Sequence, residues 1–355
     1  MIRYSKPLGK LLNFKRSFFD ENDRNLAALL ETAARYRAQP VRTRCKNCDE
    51  AMRSSDPSFA KLGVAYYFCR RCGHMNGGHE DTEAFTHTLY TAGGGVEYAQ
   101  GYTEADVRRF GERMEEVYVP KAKFLREALA ENGESIAAVS ITDFGAGAGY
   151  FVGAARACGF ERVTGYEPSE TLVTFGNRML GEGAVRLHQM DETIGLIETA
   201  GTTVASFIGV LEHLREPRHA LAAVQKNPQI RYMYMSVPLF SPTVALEAVF
   251  PNVMPRHLAG GHTHLYTESS INFFCDEFGF QRVAEWWFGL DVTDLFRDVI
   301  VTLRQTAADQ GTLAEYWQTR FAPMIDDLQS VFDRHRACSE VHMLLRKTDR
   351  QPRGD

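Results

Sequence analysis

The sequence predicts an α/β protein, a mostly parallel sheet with helices on both faces, behind a small N-terminal unit bearing paired cysteines. Three observations predict it. From Ser140 onward, strand-like and helix-like stretches alternate. Three glycines at every second position follow the first of those strands. Four of the seven cysteines fall in two C-x-x-C pairs near the N-terminus.

Taken in order, residues 22–38 carry apolar side chains at helical spacing and predict one amphipathic helix. "AQPVRT" breaks it, and the cysteine segment follows. The glycine-rich "TAGGGVEYAQGY" at 91–102 reads as a linker or crossing loop, with a lid as the alternative. Residues 103–132 read as a helix, a break near Pro120 and a second helix. Then "SITDFG", "RVTGYEP", "AVRLHQ", "TVASFIGVL" and "IRYMYMSVP" read as strands, separated by helical stretches such as "YFVGAARACG" and "PRHALAAVQK". Strands alternating with helices require crossover connections, hence a parallel sheet covered on both faces. Residues 313–336 read as one helix, and "EVHMLLRKT" as a closing strand. The expected divisions are 1–40 (helical segment), 41–90 (cysteine unit), 91–130 (linker and helices) and 131–355 (the α/β domain).

With 44% hydrophobic and 24% charged residues, the chain has the apolar material for a substantial core. The formal net charge of -5 argues against nucleic acid as an obligatory partner. No apolar run approaches a membrane span, and the basic, aromatic N-terminus lacks a signal-peptide core. The expectation is a cytoplasmic protein with no membrane partner. An odd cysteine count with C-x-x-C pairs suits a metal site in a reducing compartment better than disulfides.

Asp143 ends the first strand, and Gly145, Gly147 and Gly149 follow. Glycine lets the backbone turn tightly and approach a ligand with no Cβ in the way. A dinucleotide fingerprint would need glycine at 150, where Tyr150 stands, and no P-loop lysine follows. Glu167, 18 residues after Gly149, ends the next strand and is placed to accept both hydroxyls of a ribose. Asp143 is close enough to the turn to meet a cation. Together they describe a pocket for a nucleoside with a positive end and no phosphates, which is S-adenosylmethionine.

The stretch resembles motifs I and II of the class I S-adenosylmethionine-dependent methyltransferases. That resemblance implies a Rossmann-like seven-stranded sheet whose last strand, "EVHMLLRKT", is antiparallel. It places Met190 and Asp191 of "HQMDET" at the adenine, and "GVLEHLREP" (209–217) after strand four. The sequence departs from the family at Thr203, where an acidic residue often starts strand four.

Cys45 and Cys48, then twenty residues, then Cys69 and Cys72 give two knuckles whose thiolates can converge tetrahedrally on Zn²⁺. All four positions are filled, so the ion would be structural. In the family such a zinc domain either grips RNA or helps to enclose a nucleotide-linked sugar. Tyr66, Tyr67 and Phe68 could stack on a base or belong to the core.

Histidines reach the expected ligand edge in two segments. Glu212 and His213 follow strand four, and His257, His262 and His264 follow strand five in "PRHLAGGHTHLYTESS". A neutral histidine suits proton abstraction from a sugar hydroxyl or from carbon beside a keto group. His262 and His264 lead as candidate bases, with His213 and Glu212 next. A second metal site at H-x-H and a purely structural role stay open. Asp291 and Arg297 are further substrate candidates. The expected function is methyl transfer to a small polar acceptor, such as a nucleotide-linked sugar or glycan precursor. RNA methylation and a non-catalytic cofactor-binding subunit are the alternatives.

Overall fold

The computed structural model describes residues 1–7, 20–53, 55–90, 107–258, 262–306 and 311–348. The glycine-rich segment 91–102 lies outside these residues. Twelve strands are described: β1 (Ile2–Tyr4), β2 (Ser58–Lys61), β3 (Val64–Phe68), β4 (Met75–Gly77), β5 (Ser140–Phe144), β6 (Arg162–Glu167), β7 (Val185–Leu187), β8 (Val204–Ile208), β9 (Tyr232–Pro238), β10 (His264–Leu265), β11 (Phe280–Phe288) and β12 (Glu340–Lys347). Eight form the main sheet, in the order β1-β11-β12-β9-β8-β5-β6-β7.

Every pair in that sheet is parallel except the two made by β12, which runs against both β11 and β9. The expected antiparallel closing strand is there, but the sheet has eight strands, not seven. The extra strand is β1, which pairs Ile2–Tyr4 with Glu285–Trp287. Three residues are too few to show an alternating pattern, so nothing in "MIRYSK" marks a strand by itself.

Apolar faces of this sheet bury two clusters. One holds Phe144, Phe207, Met233, Met235, Phe274 and Trp287. The other holds Phe124, Phe151, Tyr234, Trp286 and Leu344. Each such fully buried side chain contributes about 1.5–3 kcal/mol. The helix Tyr150–Ala157 starts from Gly149 in the left-handed region and packs on this core. The helix Glu268–Phe278 starts from a Thr267 capping box and ends at left-handed Gly279.

The helix predicted near the N-terminus is Asn22–Arg37. The break near Pro120 is a π-helical turn, Met114–Tyr118, after which the helix Val119–Glu131 carries the proline in its first turn. There the missing N–H costs nothing. The single helix expected over 313–336 is two, Thr312–Phe321 and Ile325–Arg334, separated by a tight turn holding Pro323. In mid-helix that proline would remove a hydrogen bond and clash with the preceding turn.

A second sheet, β10-β4-β3-β2, carries the cysteine unit. Its outer strand β10 comes from the histidine segment after β9, pairing His264 with Asn76 and Leu265 with Met75. The N-terminal unit and the α/β domain therefore share one sheet. Tyr66 is fully buried, with its ring stacked on Phe59, which is the core reading of that residue.

Candidate functional site

Parallel strands end together, so β5, β6, β8, β9 and β11 all deliver their carboxyl ends to one edge, where the loops carry function. After β5, Gly145, Gly147 and Gly149 all adopt positive φ, at 70°, 55° and 77°. They are not equivalent. A Cβ on Gly145 would lie 2.7 Å from Val210, and one on Gly149 would lie 2.8 Å from Leu180 and Val185. A Cβ on Gly147 would meet nothing within 4 Å. The outer glycines therefore permit packing, whereas Gly147 lines open space.

The loop is latched to β6 by the Gly145 and Ala146 N–H groups, both donating to the Tyr166 carbonyl at 2.8 and 3.0 Å. Glu167, buried at the end of β6, accepts from the Gly147 N–H at 2.8 Å and the Ser169 N–H at 3.0 Å. Burial raises its carboxyl despite these two donors. Asp143 is also buried and accepts from the Ser206 hydroxyl at 2.5 Å. Burial pushes it up to about 7, against the Ser206 bond. Met190 and Asp191 sit exposed on a 3₁₀ turn beyond β7. Two carboxylates around an open glycine cradle suit a nucleoside diol with a cationic tail, so the residues present fit S-adenosylmethionine. Thr203 lies at the opposite, amino end of the sheet, where its hydroxyl pairs with Ser140. An acidic side chain there would be remote from the cradle.

Beyond β8 the chain turns at Gly209 (φ 68°) into Val210, the residue packed under Gly145, and then into Glu212 and His213. Glu212 is 3% exposed, and its Oε2 has no hydrogen-bond partner. Its Oε1 lies 3.9 Å from His213 Nε2. His213 Nδ1 is 2.7 Å from the Tyr90 hydroxyl, leaving Nε2 toward the glutamate. The His262 ring sits 5.1 Å from that of His213, with Nδ1 3.2 Å from the His257 carbonyl. Donor atoms of Glu212, His213 and His262 lie within 4.8 Å of one another. Burial pushes the Glu212 carboxyl up to about 8 and the His262 ring down to about 4.

The structure thus brings together three of the four candidate catalytic side chains. His264 lies outside the group: in β10, with Nδ1 2.8 Å from His74 Nε2. His257 is buried, and its N–H donates to Glu247. Asp291 is buried too, accepting on one oxygen from Ser241 and Thr243 and on the other from the Ser339 N–H. Arg297 is buried against Asp298 at 3.3 Å. These bonds account for both residues as parts of the fold.

Residues 110–285 match a family model described as a methyltransferase domain. Over those residues the chain carries a methyltransferase domain. Comparison with solved structures finds remote similarities. Magnesium protoporphyrin IX methyltransferase from Synechocystis PCC 6803, with bound S-adenosylhomocysteine, is 12% identical, covering 75% of this chain and 100% of its own at a TM-score of 0.44. Geranyl diphosphate C-methyltransferase from Streptomyces coelicolor A3(2) is 12% identical, covering 71% and 88% at 0.41. An S-adenosylmethionine-dependent methyltransferase from Archaeoglobus fulgidus is 14% identical, covering 64% and 94% at 0.38. No curated protein matches the sequence.

Against this methyltransferase domain sits the cysteine cluster. Cys48 and Cys69 sulfurs are 3.4 Å apart, Cys45 and Cys72 sulfurs 3.7 Å, and all four lie within 4.8 Å. Four Zn–S bonds of about 2.3 Å give sulfur–sulfur edges of about 3.8 Å, so the geometry fits a tetrahedral ion. No disulfide joins the described cysteines. Asn76 supports the cluster, donating to Cys45 Sγ at 3.4 Å and accepting from the Lys46 N–H at 3.0 Å.

The knuckle also grips the methyltransferase domain. Lys46 pairs with Asp81 and donates to the Leu214 carbonyl at 2.8 Å, one residue past His213. Asn47 donates to the Ser270 carbonyl at 2.9 Å. Sequence reading missed Tyr90, Lys46 and Ser206, because each acts on a partner 63 or more residues away. Only for Lys46 was there a signal, its position inside a C-x-x-C knuckle.

Proposed function

We propose that this protein transfers the methyl group of S-adenosylmethionine to a small polar acceptor, such as a nucleotide-linked sugar or a glycan precursor. One observation carries the reading. The Glu212–His213–His262 group, its carboxyl buried and its two rings half-buried, begins two residues beyond Val210, which packs directly under the glycine cradle. When bound, the cofactor supplies an activated methyl on a sulfonium.

The side chains then have two tasks, alignment and proton removal. Glu167, held by the Gly147 N–H, orients the ribose, and Asp143 faces the positive end. His213, with Nδ1 engaged by Tyr90, presents Nε2 to take the acceptor's proton. Glu212, in its ionised form, stabilises the resulting imidazolium beside it. His262 stays neutral at physiological pH and supplies a second acceptor nitrogen. In this reading the four cysteines hold a structural zinc, and His264 fastens the histidine segment to the zinc-bearing sheet. The net charge of -5 favours a small acceptor over nucleic acid.

The test is product mass after incubating the protein with methyl-labelled S-adenosylmethionine and a panel of nucleotide sugars. A gain of one methyl on a panel member supports the reading. Labelling confined to an RNA arm of the same panel would replace the acceptor class.

A further inference from the structure

A second charged group lies on the same carboxyl edge, toward the β11 side. Lys6 follows β1, and the neighbouring Ser5 N–H donates to the Trp287 carbonyl at 2.9 Å. This sets Lys6 beside Phe288, the last residue of β11, with Nζ 5.5 Å from the ring centroid. Lys121, from the helix Val119–Glu131, reaches Glu340 at 3.5 Å and lies 5.2 Å from the Tyr118 ring. Glu340 begins β12 opposite Pro238, the carboxyl end of β9. His342 completes the group, with Nε2 2.8 Å from Glu340.

Charge in this group does not balance. Two ammonium groups, 7% and 8% exposed, face one carboxylate. Burial pushes His342 down to about 4, so it adds no charge at neutral pH. The Lys6 ammonium has three donors, and among the described residues its one hydrogen bond goes to the Val117 carbonyl at 3.3 Å. No carboxylate of a described residue pairs with it within 4.0 Å, Glu340 and Glu116 acting only at longer range. Burying an ammonium without an anion is costly, so burial pushes Lys6 down to about 8, and a bound anion would offset that cost. The group is coupled to the catalytic side chains, since Lys121 and Glu340 both act on the Glu212 carboxyl and Lys121 also acts on Asp143.

We infer that Lys6 and Lys121 form an anion subsite for the acceptor, which therefore carries a phosphate or carboxylate group. The inference rests on the methyltransferase reading above and names its substrate class further. Lys6 provides the open donors. Lys121, tethered by Glu340, sets the field between the subsite and the proton-accepting group.

The test is calorimetric titration of the full-length, zinc-loaded protein with inorganic pyrophosphate and, separately, malonate, each with and without S-adenosylhomocysteine. At least one probe should bind the wild type. Lys6→Gln should weaken it about tenfold, and Lys6→Arg should retain it. Thermal melting of each variant checks folding. The probe that binds distinguishes phosphate from carboxylate. Failure of both probes on the wild type overturns the inference, as does undiminished binding by folded Lys6→Gln and Lys121→Gln. A matching loss of S-adenosylhomocysteine affinity in Lys6→Gln also overturns it, by assigning the cation to the cofactor's own carboxylate. Failure of the wild type to bind S-adenosylhomocysteine would instead defeat the methyltransferase reading. The arms without that ligand would still test the anion subsite.

Discussion

Two halves of one sheet edge are built in opposite ways. The cofactor half, over β5 and β6, draws Asp143, Gly147 and Glu167 from 25 consecutive residues. Its contacts are mostly backbone, such as the Gly147 N–H to Glu167 and the two latches on the Tyr166 carbonyl. The proposed acceptor half, over β8, β9 and β11, draws on Lys6, Tyr90, Lys121, Glu212, His213, His262 and Glu340, spread over nearly the whole chain. Its contacts are made mostly by side chains, to one another and to remote carbonyls, and part of its support comes from the cysteine unit. A half made of backbone turns tolerates change elsewhere. A half made of remote side chains depends on each element arriving in register.

Removing a thiolate should separate the halves most completely. Cys69→Ser is expected to release zinc and unfold the cysteine-bearing sheet, because binding free energy is folding free energy at such sites. The sheet includes β10, and its knuckle holds the Leu214 carbonyl through Lys46. Turnover should be lost while S-adenosylhomocysteine still binds. Metal analysis, circular dichroism and calorimetry on the same sample check this. Intact turnover without zinc would show that the acceptor half stands alone.

Next in size are the histidines. His213→Ala should lower turnover by about 10²–10⁴-fold with cofactor affinity unchanged. His262→Ala should do less, because the ring pushed down to about 4 is a weak base. His264→Ala should act on stability more than on rate, since its partner is His74. If all three kept normal rates, the site would work by alignment alone.

A smaller effect concerns pH. Ionisation of Glu212, pushed up to about 8, should make the rate climb as pH rises from 7 to 9, and Glu212→Gln should flatten that climb. Stability should move the other way. Asp143, Glu212 and Glu247 have folded values of about 7, 8 and 7, above their ordinary 3.8, 4.5 and 4.5. Between those limits these three groups bind more protons in the folded state than in the unfolded one, so their contribution to stability falls as pH rises through about 4.5–8. Glu340, held low by Lys121 and His342 against the effect of burial, acts only below that window. Melting temperature should decline from pH 6.5 to 8, above the range where the lowered His74, His262 and His342 act oppositely and below that of Lys6 and Lys46, and a flat profile there would count against these burial shifts.

The same contrast explains what was legible. Glycines at every second position and an acidic residue one strand later are sequence-local, so the cradle could be read residue by residue. The cysteine spacing was legible for the same reason: each knuckle is four residues long. Glu212, His213 and His262 could be nominated as types at the ends of strands. Their meeting could not be read, since it needs β8 and β9 side by side and Tyr90 brought in from the N-terminal unit. Strand β1 was invisible because three residues carry no period, and Lys6 was hidden with it. Residues 313–336 read as one helix because their apolar spacing runs on through Pro323, and the two-helix packing appears only in three dimensions.

The central claim is that the cofactor half binds on its own terms, and one titration tests it most directly. S-adenosylhomocysteine is titrated into the wild type, Glu167→Ala and His213→Ala in the same buffer. The account predicts one site on the wild type. Glu167→Ala should lose about 1–3 kcal/mol, or about 5–150-fold in affinity, because two ribose hydroxyls lose a charged acceptor. His213→Ala should bind like the wild type. Equal affinity in Glu167→Ala, or a comparable loss in His213→Ala, would contradict it.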